Sequence, residues 1–246
     1  MLRSQRLETR KTKGKAMKTI PLSRRLAAEF LGTALLLTVF VGSGVMAAKL
    51  AGEQYAAALI ANSVATGAAV YAILSAFAPI SALFNPAMTL VARLAGWISM
   101  SDAIAYTIAQ VTGAIAGVVL VHLMYAMPIV QSSAAIQLIP NLWLAEGLAT
   151  FTLVFTVLAL LRSAPDRVAG AVSLYVLAAF WFNASLNPAV TIARSFTSTF
   201  DGIARADVPA LVVAQFAAAL LATVAVRWLF EQPAAAAAVA GDPVNG

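Results

Sequence analysis

Ser81-Ala82-Leu83-Phe84-Asn85-Pro86-Ala87 and Ser185-Leu186-Asn187-Pro188-Ala189-Val190-Thr191 share one tripeptide, Asn-Pro-Ala, and each lies in a long uncharged stretch. Asn-Pro is a helix-start signal: Asn caps the exposed N–H groups of a first turn, and Pro is preorganised for the first helical position. Helix starts belong where water reaches the backbone. Residues 54–92 and 168–193 nevertheless contain no Asp, Glu, Lys or Arg. At membrane depth a chain break is tolerated only where the freed backbone lines a wet cavity or packs inside protein. One such break in each half of the chain points to a pore at the interface of two repeats.

The rest of the chain agrees with a membrane setting. Hydrophobic residues make up 61% of the 246 positions and charged residues 11%, against about 25% charged in an ordinary soluble domain. Nine of the 16 basic residues fall within the first 25 positions. A basic arm ahead of the first apolar span is what a cytoplasmic N-terminus carries. No aromatic interleaving or binding fold accompanies it, so we read residues 1–22 as a lipid-facing arm and expect no nucleic-acid partner. Cysteine is absent and His122 is the sole histidine; one His builds no metal site, so neither metal nor cofactor is expected. With no nucleophile–base pair, phosphate loop or carboxylate dyad, the sequence does not read as an enzyme.

Six spans are predicted: Leu26–Ala48, Ala56–Phe77, Ala103–Ala126, Leu142–Leu161, Val168–Phe182 and Val208–Phe230. The fifth is short for a bilayer of about 30 Å. Pro86–Trp97 and Pro188–Phe200 are only half as long, and read as half-helices entering from opposite faces. Six spans put both termini on one side. Arg162–Arg167 is then cytoplasmic, and Lys49–Glu53 and Pro128–Asn141 are external. The Ala-rich residues 231–246 form a tail. No cleavable signal peptide is expected.

The two halves repeat each other. Ala28-Glu29-Phe30-Leu31-Gly32-Thr33 returns as Ala145-Glu146-Gly147-Leu148-Ala149-Thr150, and Ala109-Gln110 returns as Ala214-Gln215. Repeats of about 23–127 and 141–230, each with three spans, must be inverted relative to one another. Asn85 and Asn187 then cap opposed half-helices whose starts carry about half a positive charge each, and their amides offer two donors apiece. Such a midplane disfavours cations, protons included, and passes neutral molecules with lone pairs.

Two Asn-Pro-Ala motifs, a Glu in the first and fourth spans and Ala-Gln in the third and sixth resemble the aquaporin, or major intrinsic protein, family over about residues 23–230. The stretch from Asn187 to Gly202 and the run Ala206-Asp207-Val208-Pro209-Ala210 are similar to the bacterial aquaglyceroporins associated with arsenic resistance. The resemblance implies an all-α fold of six transmembrane helices plus two pore half-helices, one pore per subunit and a homotetramer in the inner membrane. It implies a passive channel for water, glycerol-like polyols and undissociated arsenite or related metalloid acids. The chain departs from the pattern at Val190, where Arg commonly follows the second motif.

Counted from that motif, the resemblance places Val190, Ala184, Tyr175 and, in the second span, Ala65 or Thr66 depending on a gap, at the outer constriction. Losing the Arg removes a fixed charge and five donors. A water-selective channel is a narrower alternative. A coupled transporter using Glu29 or Glu146 as a proton site is another, since an intramembrane carboxylate is functional or structural by default. The duplication of both Glu residues favours scaffolding of the Asn-Pro-Ala loops, with Gln110 and Gln215 bridging helices. Arg194, two turns beyond Asn187, reads as a loop anchor near the outer surface, paired with Asp201 or Asp207. His122 reads as a satisfied residue at a helix end.

Overall fold

The structure is a computed structural model and describes residues 20–133, 141–182 and 184–230. Most of the basic arm, part of the connector before Asn141, and the Ala-rich tail lie outside the described residues. Eight α-helices follow in order among those described: α1 (Leu22–Ala51), α2 (Tyr55–Phe77), α3 (Pro86–Leu94), α4 (Met100–Met124), α5 (Leu142–Ser163), α6 (Val168–Ala179), α7 (Pro188–Arg194) and α8 (Val208–Phe230).

Five of these (α1, α2, α4, α5 and α8) are long and apolar enough to cross a membrane. The expected fifth span differs. Its α-helical part, α6, has 12 residues, or about 18 Å at 1.5 Å per residue. Tight 3₁₀ turns at Pro165–Arg167 and Phe180–Phe182 extend it at both ends. The half-helices are also shorter than expected. Past Leu94 the chain turns at Gly96, whose φ of 75° lies in the left-handed region. Past Arg194, Ser195 closes on Ile192 with a three-residue bond, and the chain doubles back.

Burial is inverted relative to a soluble protein. Glu29, Gln110, Glu146 and Gln215 are fully buried, while Trp228 is 81% and Leu174 71% exposed. Apolar residues facing out around a polar interior fit a hydrocarbon surround, since in water Glu and Gln are the residues left outside. α1 packs on α4 and α5 on α8 as the two most extensive pairs, with α2 on α1 and α6 on α5. Gly113 and Gly117 make the first of these pairs close: a Cβ at either would stand 2.4 Å from a backbone oxygen of α1, that of Phe30 or Ala34. α3 and α7 lie in the centre of the ring, each touching α4, α8 and one another.

Candidate pore

Both Asn-Pro-Ala segments fold alike. Asn85 and Asn187 sit in extended backbone, and each side-chain oxygen accepts the N–H of the Ala two residues on (2.8 and 2.9 Å), with Pro in the first turn. The residues just before them, Phe84 and Leu186, hold φ of 50° and 54°. A left-handed non-glycine residue costs about 1–3 kcal/mol and persists only where its surroundings hold it.

Two carboxylates do the holding. Glu29 accepts from the N–H groups of Leu83 (2.9 Å) and Phe84 (2.7 Å), from Ser81 Oγ (2.5 Å) and from Gln110 Nε2 (2.7 Å). Glu146 accepts from the N–H groups of Ser185 (2.6 Å) and Leu186 (3.0 Å) and from Gln215 Nε2 (2.8 Å). The Gln side chains also reach Thr89 and Thr191 on the half-helices. Carboxylates accepting several N–H bonds in a dry interior are fully engaged and hold their donors firmly.

The two motifs are latched to each other. Asn85 Nδ2 donates to the carbonyl of Leu186 (2.8 Å), and Asn187 Nδ2 to that of Phe84 (2.7 Å). An amide nitrogen carries two hydrogens, so each Asn keeps a second donor after this exchange. Both Asn residues line a central cavity of about 220 Å³ whose walls are otherwise largely apolar; about 10–15 Å³ suffices for one water.

The sequence-based constriction residues are placed unevenly. Thr66, Ala184 and Val190 line the central cavity. Tyr175 does not. It bonds Thr152 of α5 and packs with the cluster around Ala149 and Leu153. Along α6 and the 3₁₀ turn that follows it, the cavity is met instead by Val168, Val172, Val176 and Phe180, spaced one helical turn apart.

A second cavity of about 10 Å³ opens towards Tyr55 and shares Phe40, Phe180 and Ala184 with the first. These three residues form the neck between the two spaces. The rings of Phe40 and Phe180 have centroids 5.3 Å apart. Sequence periodicity does not single out Phe40 and Phe180, because both lie in nearly uniform apolar stretches, the middle of α1 and the segment from α6 to Phe182.

Arg194 lines the smaller cavity and is only 2% exposed. It anchors the connector that holds Asp201, from a buried position and not from the outer surface. Its Nε donates to the backbone carbonyl of Asp201 (2.5 Å), its Nη1 donates to Ser185 Oγ (2.9 Å), and its guanidinium lies 5.4 Å from the centre of the Phe40 ring. Asp201 belongs to the connector between α7 and α8, outside the spanning helices. Its Oδ1 accepts from Asn62 Nδ2 (2.8 Å), while its buried Oδ2 has no hydrogen-bond partner. Oδ2 stands where a Cβ on Gly44 would be, 1.8 Å away. Burial pushes the Asp201 carboxyl up to about 7, against the opposing pull of Arg194 and the Asn62 amide.

His122 is buried, with Nδ1 2.7 Å from the Ile129 carbonyl and Nε2 2.9 Å from Thr197 Oγ1. A carbonyl only accepts, so Nδ1 carries the proton and Thr197 serves the other nitrogen. The histidine thus ties the segment after α4 to the connector after α7. Among the described residues no cluster of three metal-binding side chains occurs.

A bundle with two inverted, mutually latched half-helices around a central cavity defines a membrane protein of the pore-forming class. The family model described as major intrinsic protein matches residues 16–182, and the chain belongs to that family. It is 47% identical to aquaglyceroporin AqpS of Rhizobium meliloti over 89% of this chain and 94% of that protein. It is 34% identical to aquaporin TIP1-2 of Musa acuminata, covering 71% and 75% of the two. The solved aquaglyceroporin of Plasmodium falciparum superposes with a TM-score of 0.64 over 83% of this chain and 95% of that one. At 20% identity, that likeness speaks for the fold alone. The family makes the chain a multi-pass membrane channel for small solutes and not an enzyme.

Proposed function

We propose that the chain is a passive channel conducting water, glycerol-like polyols and undissociated metalloid acids such as arsenous acid. The observation that carries this reading is the pair of Asn amides, presented from opposed half-helices to one apolar-walled cavity of about 220 Å³. A neutral hydroxylated solute accepts from both amides in turn and meets few competing partners on the walls. The likeness to a protein named as an aquaglyceroporin supports polyols over water alone. Val190 supports it as well, since a neutral side chain stands where a guanidinium would narrow the lumen.

In this reading Asn85, Pro86, Ala87, Asn187, Pro188 and Ala189 form the midplane. Val190, Ala184 and Thr66 belong to the constriction, joined by Phe40 and Phe180 in place of Tyr175. Glu29, Glu146, Gln110 and Gln215 support the loops. Residues 23–230 are the channel unit, built from the repeats at about 23–127 and 141–230. The Arg25 end faces the cytoplasm of an inner-membrane protein with both termini inside, the Tyr55 end faces outward, and four copies assemble.

A coupled transporter is the competing class. Its proton site would need a carboxylate able to exchange its partners, whereas Glu29 holds four donors and Glu146 three. Stopped-flow light scattering on proteoliposomes, with water, glycerol and a trivalent arsenical and with or without a pH gradient, tests the proposal. Solute flux well above empty liposomes and indifferent to the gradient is expected. Flux that requires the gradient overturns it.

A further inference from the structure

The lumen poses a charge problem that its midplane leaves open. Polar groups that only donate, the amides of Asn85 and Asn187, repel cations and reward anions as readily as neutral solutes. Among the residues lining the central cavity none is charged, and the smaller cavity at the Tyr55 mouth is lined by one cation and one acid, Arg194 and Asp201. We propose that Arg194 and Asp201 act together as the charge filter of that mouth, the guanidinium barring cations and the carboxylate cancelling its charge so that small anions are refused too. This rests on the neutral-solute channel reading and adds to it the residues that enforce neutrality.

Three observations carry the assignment. Arg194 stands one turn beyond Val190, so it projects from the same face of α7, nearer the mouth. Its guanidinium is fixed by Ser185, the Asp201 carbonyl and the Phe40 ring, and Phe40 is itself part of the neck. Finally, the Asp201 carboxylate is turned towards the helices, held by Asn62 on α2 and pressed against the backbone of Gly44 on α1. It compensates the guanidinium without offering an exposed oxygen that would attract cations. Gly44 is what makes room for it.

The titratable or charged groups facing this carboxylate are Arg194 of α7 and, at the start of α2, Tyr55; α1 presents only backbone there. With the carboxyl pushed up to about 7, the pair is neutral above neutrality. It gains one positive charge as the outer pH falls through that value. Anion refusal therefore weakens in acid.

The test uses the full chain in liposomes and reads the ratio of nitrate to glycerol permeability, nitrate being an anion at every pH used. In wild type the ratio should rise about tenfold between about pH 8.5 and about pH 5.5. Asp201→Asn should show the high ratio at both pH values, and Arg194→Gln should admit a monovalent cation that the wild type refuses. A flat wild-type profile, which needs no variant to fold, overturns the proposal. So does Asp201→Asn with the wild-type ratio at about pH 8.5. Absence of glycerol flux in wild type would instead sink the channel reading itself.

Discussion

Glu29 divides its two oxygens among four donors, with Oε1 serving Ser81 and Leu83 and Oε2 serving Phe84 and Gln110. Gln would turn one oxygen into a donor facing donors, leaving one or two buried N–H groups unmet at about 1–3 kcal/mol each. We expect Glu29→Gln and Glu146→Gln to lower the melting temperature by roughly 5 °C or more. Passive glycerol flux of the folded fraction should persist in both. Thermal melts paired with stopped-flow flux check this, and flux that disappears from well-folded protein would revive a proton-coupled role. Val190 invites the opposite change. Val190→Arg would set a second guanidinium one turn below Arg194, beside Phe40 and Phe180. Glycerol and trivalent arsenical permeation should fall more than water permeation, since water alone threads past the added bulk. A proportional decline of all three would place the limiting neck elsewhere. At this scale the motif residues were legible because Asn-Pro has a local chemical meaning. Phe40 and Asn62 were not, because their roles come from contacts across 139 to 140 positions, to Phe180 and Asp201.

Helices were legible as apolar runs, and their ends were less so. The break at Gly96 and the reversal after Arg194 depend on backbone and tertiary bonds that no window of sequence displays. The α6 register was lost for a related reason. With apolar residues on every face, nothing in the α6 sequence distinguishes Val176 from Tyr175 as the residue that meets the cavity. Close helix contacts are likewise silent in sequence until the partner is known. Gly32 shows this: a Cβ there would fall 2.1 Å from the Phe84 ring, whereas its repeat counterpart Ala149 carries a Cβ and is fully buried. Gly32→Ala should therefore push Phe84 and shift the carbonyl that holds Asn187, weakening flux as well as stability. Gly113→Ala, 2.4 Å from the Phe30 oxygen, should separate α1 from α4 at a cost of about 1–3 kcal/mol with no direct contact to the pore. Comparing flux per folded channel for the two variants distinguishes the cases, and equal losses would mean that Phe84 has room to yield.

At the scale of the molecule, the two repeats meet only through the centre and the ring, and the centre is cross-tied. Asn85 holds the Leu186 carbonyl, Asn187 holds the Phe84 carbonyl, and each loop is pinned to its own repeat by a saturated carboxylate. Alternating access requires one repeat to rock against the other around the bound solute. Such rocking would break both cross-ties at once and strand buried amide and carbonyl groups in a dry interior. A fixed path needs no such step. The expected outcome is glycerol flux that rises in proportion to its gradient without saturating, runs equally in both directions, and ignores an imposed pH or sodium gradient. Counterflow of labelled glycerol, driven uphill by unlabelled glycerol on the far side, is the decisive measurement. A carrier shows it because loaded and empty forms return at different rates, and an open pore cannot. Clear counterflow would mean that the latched centre opens during each cycle, and that the cross-ties between the motifs are a resting state and not the conducting one.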